Sequence, residues 1–289
     1  YLLYYFLYLN NNYLIASFIF SIFLIGFLSD IKKLNSVSLR FFLQVILVFT
    51  FTQTLNLEII STKIDFIDLL LSNIYFNNIF VTFCLMVLIN GGNFIDGLNT
   101  FLLSYFLSIY FVLLFFFGSQ TSEDFQFLIN LMIILIILIS LNFSGIIYMG
   151  DSGAYILSLI TGVYLINFST NNLDISPYLM VLFFWYPCFE LLFSMIRRRI
   201  KQNKTYKPDT KHLHQLLNEV IKNKIENNKS YFTHTITSFI INSYNLLIFV
   251  ISVQFIYSSK MLVLILIINI ILYLSLYNLL SKKVIKTIH

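Results

Sequence analysis

The chain has 289 residues, 58% of them apolar and 11% charged, with 18 Lys and Arg against 13 Asp and Glu. Soluble domains carry about 25% charged residues, so this composition, with a mean hydropathy of +0.84, excludes a soluble enzyme. The net charge of +5 does not point to nucleic acid, because basic loops of membrane proteins produce the same excess. Cys84 and Cys188 both lie in apolar runs and suggest neither a disulfide framework nor a zinc site.

A helix needs about 20 apolar residues, with a range of about 17–25, to cross the hydrocarbon core of a bilayer. That length predicts nine spans, at 13–28, 39–57, 74–90, 101–118, 127–142, 152–168, 178–196, 236–257 and 260–280, with residues 1–9 as the tail of another. The expected fold class is therefore all-α: a polytopic transmembrane helical bundle, read as one domain over 1–289. The chain opens on Tyr1 inside an apolar run, and the reading is that one or two N-terminal helices precede it. Pro177 falls at a span entrance and Pro187 within a span, where neighbouring helices can satisfy a broken backbone.

Charge orients the spans. The stretches 29–40, 197–235 and 281–289 hold sixteen of the 18 basic residues, while loops 58–73, 118–126 and 169–177 hold Glu58, Asp65, Asp68, Glu123, Asp124 and Asp174 against Lys63 alone. Nine alternating spans put the basic stretches on one side and the acidic ones on the other. The positive-inside rule makes the basic side cytoplasmic. By parity, loops 91–100 and 143–151 are cytoplasmic too. Asp30, Asp96 and Asp151 then lie at the cytoplasmic ends of three spans, a set of carboxylates suited to a metal and phosphate site.

Four motifs carry chemistry. Residues 88–100, L-I-N-G-G-N-F-I-D-G-L-N-T, place three Asn, three Gly and one Asp between apolar spans; glycine admits close backbone approach and Asn and Asp offer hard oxygen ligands for Mg²⁺. The plain alternative is a turn between helices. Residues 147–155, I-Y-M-G-D-S-G-A-Y, put Gly-Asp-x-Gly at a helix start, where free N–H groups favour anionic phosphate, or where Asp151 and Ser152 merely cap the span. Residues 208–217, P-D-T-K-H-L-H-Q-L-L, follow Arg197, Arg198 and Arg199. His212 and His214 share a side in extended chain but not in a helix; without a nearby third ligand they suit phosphate or sugar contacts better than zinc, and the arginines also serve as span-end anchors. Residues 26–44, G-F-L-S-D-I-K-K-L-N-S-V-S-L-R-F-F-L-Q, hold Asp30, which is either functional or a solvated helix end. Glu190, three residues after Pro187, is a carboxylate inside a span and so a functional candidate.

In this order and spacing the motifs resemble the polyprenyl-phosphate N-acetylhexosamine-1-phosphate transferases, over Gly26 to about Leu217. The resemblance implies a multispan enzyme of the bacterial plasma membrane with its site facing the cytoplasm. It implies Mg²⁺-dependent attack of undecaprenyl phosphate on the β-phosphate of a UDP-N-acetylhexosamine, releasing UMP and initiating a cell-envelope polysaccharide such as O-antigen. Carried onto this sequence, Asp30, Asp96 and Asp151 are the expected catalytic residues, and Asp151 and Asn93 the metal ligands. Asn90, Asn99, Tyr148, Asp209, His212 and His214 are expected to contact substrate, with Pro187 and Glu190 shaping the sugar-phosphate side. Lys33, Arg40 and Arg199 would attract the nucleotide electrostatically. The bilayer is the third partner, and a homodimer is compatible with this reading.

There are departures from the family pattern. Ser29 stands where the first of two paired aspartates is usual, Gln215 replaces a common third histidine, Ala154 a common Ser, and Ile146 a frequent basic residue. The rival readings are the lipid I-forming peptidoglycan translocase of the same family, a membrane transporter, and an inactive lipid-binding relative. A transporter would place its polar groups at the bilayer midplane, whereas here they gather at span ends.

Overall fold

The computed structural model describes residues 13–118, 122–200, 211–225 and 230–288. All regular structure among them is helical: α1 (Tyr13–Asp30), α2 (Val37–Thr54), α3 (Asp65–Leu71), α4 (Ile74–Ile95), α5 (Phe101–Phe117), α6 (Ser122–Phe143), α7 (Gly150–Asn171), α8 (Tyr178–Phe183), α9 (Trp185–Ile200), α10 (Leu213–Lys224), α11 (Ser230–Val253) and α12 (Ser259–Ile288). Seven of these, α1, α2, α4, α6, α7, α11 and α12, are long and apolar enough to cross a membrane, and α5 is a shorter apolar helix. The architecture is that of a polytopic helical bundle.

The predicted span at 178–196 differs in a way that its proline explains. It is two helices, the six-residue α8 and the sixteen-residue α9, parted at Phe184. Pro187 has no N–H to donate, and its ring meets the carbonyl four residues earlier, at Phe183. The helix therefore stops and restarts just upstream of the proline.

The helices form two compact units interleaved along the chain. The first holds α1, α2, α3, α4 as far as Asn93, α7, α8 and residues 256–259. Its central helix is α7, whose Ala154, Ser158, Leu159, Thr161 and Gly162 are all buried. Small residues let membrane helices approach closely, which replaces the hydrophobic drive that lipid removes. Gly26 of α1 is such an approach: a Cβ there would lie 2.4 Å from Ser152 Cα and 2.5 Å from its backbone N. Ser36 starts α2 as its N-cap, accepting a hydrogen bond from the Leu39 N–H at 3.3 Å, a satisfied orphan donor of the first turn.

The second unit holds residues 94–148, 185–255 and 260–289. Its core is α5, with Phe101, Tyr105, Phe106, Ile109, Tyr110 and Leu113 all buried. Several polar groups at membrane depth are paired across helices. Asn242 of α11 donates through Nδ2 to the Phe101 carbonyl at 2.9 Å and to Ser104 Oγ at 2.6 Å. Trp185 Nε1 donates to Asn245 Oδ1 at 3.0 Å. Such interhelical bonds contribute on the order of 0.6 kcal/mol each in a bilayer, so they orient the helices more than they stabilise them.

Candidate active site

In the first unit, two sequence-distant motifs meet. Asp30 is the last residue of α1, and α7 begins at Gly150. The Asp30 carboxylate accepts the backbone N–H of Asp151 at 2.9 Å, the N–H of Ser152 at 3.2 Å and the Ser152 hydroxyl at 2.8 Å. A helix start leaves unpaired N–H groups and a partial positive charge, and an anion supplied by another helix satisfies both. The expectation of free amides here is thus corrected: two of them are taken by Asp30. Neither Asp151 nor Ser152 acts as the cap, since Met149 is the N-cap residue and makes no side-chain cap bond. Gly150 sits at φ +61°, and a Cβ there would come within 2.8 Å of both Asp30 oxygens, so a left-handed, side-chain-free residue is required.

Asp151 is the hub. Its Oδ2 accepts from Arg40 Nη1 at 2.5 Å, from Ser29 Oγ at 2.6 Å and from the Tyr155 hydroxyl at 3.2 Å. Arg40 Nη1 also contacts Ser29 Oγ. Ser29, the departure from the paired aspartates, is therefore wired to the same carboxylate, and Arg40 supplies the charge that balances it. The Arg40 and Asp151 side chains are each 21% exposed, partly screened by solvent. Asp151 Oδ1 accepts none of these bonds.

The residues fit Mg²⁺ by the chemistry of their donors. Mg²⁺ takes hard oxygens and is bound through one or two carboxylates with water and substrate phosphates completing an octahedron. Asp151 retains Oδ1, and Asn93, half-buried near the end of α4, carries an amide oxygen. The neighbouring Gly92 lies against α7 at Ser158, which leaves no room there for a Cβ. Among the described residues no three His, Cys, Asp or Glu side chains converge on one point, so the closed, all-protein cage of a structural metal is not what this donor set builds.

The other expected residues of this unit are placed as follows. Asn90 donates to the Met86 carbonyl at 2.8 Å and faces Gln44 Oε1 at 3.4 Å, an intramembrane link between α4 and α2. Lys33 is exposed in the turn after α1.

In the second unit, Phe94 of the 88–100 motif meets His212 of the 208–217 motif. His212 precedes α10 in extended conformation, φ −77° and ψ 151°. Its Nδ1 lies 2.8 Å from Glu190 Oε1, and the Tyr273 hydroxyl donates to Glu190 Oε2 at 2.6 Å. Glu190 and His212 are both buried. The Phe94 ring stands edge-on to His212 at 5.3 Å, and Arg198 lies 5.5 Å over Phe94. His214 is stacked parallel to His212 at 5.5 Å and tilted against Phe101 at 5.1 Å. The two rings thus share a side even though a helix begins between them. His214 is fully buried, and neither ring nitrogen has a partner among the described residues. Burial pushes its pKa down to about 3, the Glu190 charge opposing and His212 reinforcing the shift, so its ring is neutral. Gln215, in place of a third histidine, accepts the His212 N–H at 3.3 Å.

Around them Arg197 Nη1 donates to the Lys211 carbonyl and to the Tyr277 hydroxyl. Asn99 is committed to the protein: Nδ2 donates to the Asn142 carbonyl at 3.0 Å, and Oδ1 lies 3.3 Å from His234 Nδ1. Asp96 is half-buried, while Tyr148 and Arg199 are exposed; Asp209 lies outside the described residues. Sequence reasoning missed Tyr273, Tyr277, Asn142 and His234. Asn142 and His234 were detectable as polar residues in apolar runs; Tyr273 and Tyr277 were indistinguishable from the other tyrosines.

Comparison with curated proteins gives no match. A family model described as glycosyl transferase family 4 matches residues 12–169, which include the whole Asp30, Arg40 and Asp151 cluster and three of the four motifs. That span exceeds half of the chain. The chain is a multi-pass membrane protein and belongs to glycosyl transferase family 4, the transferases that pass a sugar phosphate from a nucleotide sugar to a polyprenyl-phosphate acceptor.

Proposed function

We propose that this member transfers an N-acetylhexosamine 1-phosphate from its UDP-sugar to undecaprenyl phosphate at the cytoplasmic face of the bacterial plasma membrane, opening the synthesis of an envelope polysaccharide such as O-antigen. The observation that carries this reading is the convergence of Asp30, Ser29 and Arg40 on Asp151 at the first turn of α7. In the reaction an oxygen of the lipid phosphate forms a bond to the β-phosphorus of the donor. The bond from that phosphorus to the bridging oxygen breaks, and UMP leaves with the electron pair.

Two phosphates of like charge repel, so the site must supply cations where they meet. Arg40 offers a planar fork suited to phosphate oxygens and is already held at Asp151. Lys33 and Arg199, both exposed, add long-range attraction for the nucleotide. Asp151 and Asn93 would hold Mg²⁺, which offsets charge on the diphosphate and on departing UMP. Asp30 keeps the start of α7 in place and positions the lipid phosphate; that phosphate ionises unaided at neutral pH, so a strong base is not demanded. His212, oriented by Glu190, is the residue of the second unit that this reading assigns to the sugar-phosphate end.

The test is purified protein in bilayers with radiolabelled UDP-N-acetylglucosamine, undecaprenyl phosphate and Mg²⁺. The expected result is a pyrophosphate-linked lipid product with one UMP released per transfer. Absence of lipid product with any UDP-N-acetylhexosamine would leave the inactive-relative reading that Ser29 motivates.

A further inference from the structure

A cavity of about 580 Å³ opens in the second unit between α5, α6 and α11, within the range of about 300–1,000 Å³ usual for ligand sites. None of the motif chemistry uses it. It runs from Thr100 to Ser108 along α5 and from Thr235 to Leu246 along α11, ending at Ile139 to Ser144 on α6. At 1.5 Å per residue these stretches are about 12 and 16 Å long, close to half of the roughly 30 Å hydrocarbon core. The cavity is therefore about one leaflet deep, and it starts at the helix ends that carry Asn99 and His234. Exposed Phe239 and Phe143 flank it, so it opens sideways rather than into the protein.

Four of its serines share one character, with the Ser104 oxygen already accepting from Asn242 Nδ2 at 2.6 Å. The Ser104, Ser108, Ser140 and Ser144 hydroxyls spend their protons on carbonyls one turn earlier, at 2.6, 2.8, 2.9 and 3.0 Å, which leaves their oxygens as acceptors. Asn242 lines the same wall, is 5% exposed, and uses Nδ2 within the protein while its Oδ1 has no partner among the described residues. Among the described residues no lysine or arginine lines the cavity. An acceptor-rich wall without cations repels phosphate and receives hydroxyl donors, and its apolar walls match hydrocarbon chains.

We propose that this cleft binds an uncharged membrane lipid whose head carries several free hydroxyls, of the glycosyl-diacylglycerol class, separate from the anionic polyprenyl acceptor. The occupant enters from the leaflet, lays a chain along Leu107 and Leu246, and donates its hydroxyls to Ser108, Ser140 and Asn242.

The test is photolabelling of the full chain in nanodiscs with three diazirine lipids of equal chain length: a diacylglycerol, a monoglycosyl-diacylglycerol and a phosphatidic acid. Labelling of residues 100–108 and 235–246 by the monoglycosyl probe, competed by its unlabelled form and stronger than by diacylglycerol, is expected. Ser108→Leu with Ser140→Leu fills the cleft and should cut labelling about tenfold. Ser108→Ala, which keeps the fold, should cut it about threefold, as the loss of one hydrogen bond in a bilayer does. Equal labelling by phosphatidic acid or by diacylglycerol, labelling confined to other helices, or Ser108→Ala labelling at the parent level would each overturn the proposal. No nucleotide sugar is present, so the outcome is independent of the transferase reading.

Discussion

Asp30 and Asp151 are 121 residues apart, yet the carboxylate of the first receives the backbone N–H of the second at 2.9 Å. One aspartate therefore caps the helix on which the other is mounted. Any change at Asp30 acts both on chemistry and on the start of α7.

Asp30→Ala is expected to orphan two amides and cost about 1–2 kcal/mol, as loss of a good cap does. A melting curve in detergent should fall by a few degrees. Asp30→Asn retains an acceptor and should melt close to the parent while losing transfer activity. Full turnover in Asp30→Asn would show that the charge at Asp30 has no part in catalysis.

Arg40 contacts both Ser29 and Asp151. Arg40→Gln should raise the KM for the UDP-sugar about tenfold or more and flatten its salt dependence, since a screened cation is removed. Arg40→Lys should recover only part of this, because an ammonium is a point charge without the fork. Ser29→Asp places a second carboxylate beside Asp151 and should lower the Mg²⁺ concentration needed for half-maximal rate. A Mg²⁺ titration of steady-state rates decides it.

Tyr273 on α12 closes the buried arrangement at Glu190. Tyr273→Phe leaves a carboxylate oxygen without its donor and should cost about 1–3 kcal/mol. Glu190→Leu strips His212 Nδ1 of its partner, and the KM for the donor should rise more than kcat falls. Thermal melting and steady-state kinetics on the same preparations separate the two effects.

Burial holds His214 at a pKa of about 3, below the unfolded value near 6.5. The unfolded chain then binds the extra proton first. Stability from this group is complete above about pH 6.5 and is lost as pH falls toward 3, by at most about 1.4 kcal/mol per pH unit. His214→Phe should flatten the melting temperature between pH 7 and 4.5 relative to the parent. An unchanged slope would show that His214 is not the group responsible.

The sequence alone determined the class of this protein. A bilayer excludes charge and demands helices of a certain length, so scarcity of charge and the spacing of apolar runs sufficed for a polytopic all-helical chain, and the Asn/Gly/Asp and Gly-Asp-x-Gly segments stood out against that background. Asp30, Arg40, Asp151 and the histidines were legible because polar groups are costly there. Which of them meet was decided by tertiary packing. Gly26 lets α1 approach Ser152 so closely that Asp30 reaches the amides of α7, and no local rule contains a contact between residues so far apart. The α8–α9 break was written in Pro187, but the pairing of Glu190 with His212 and Tyr273 was not. A tyrosine in an apolar helix reads as core until another helix brings a carboxylate to its hydroxyl.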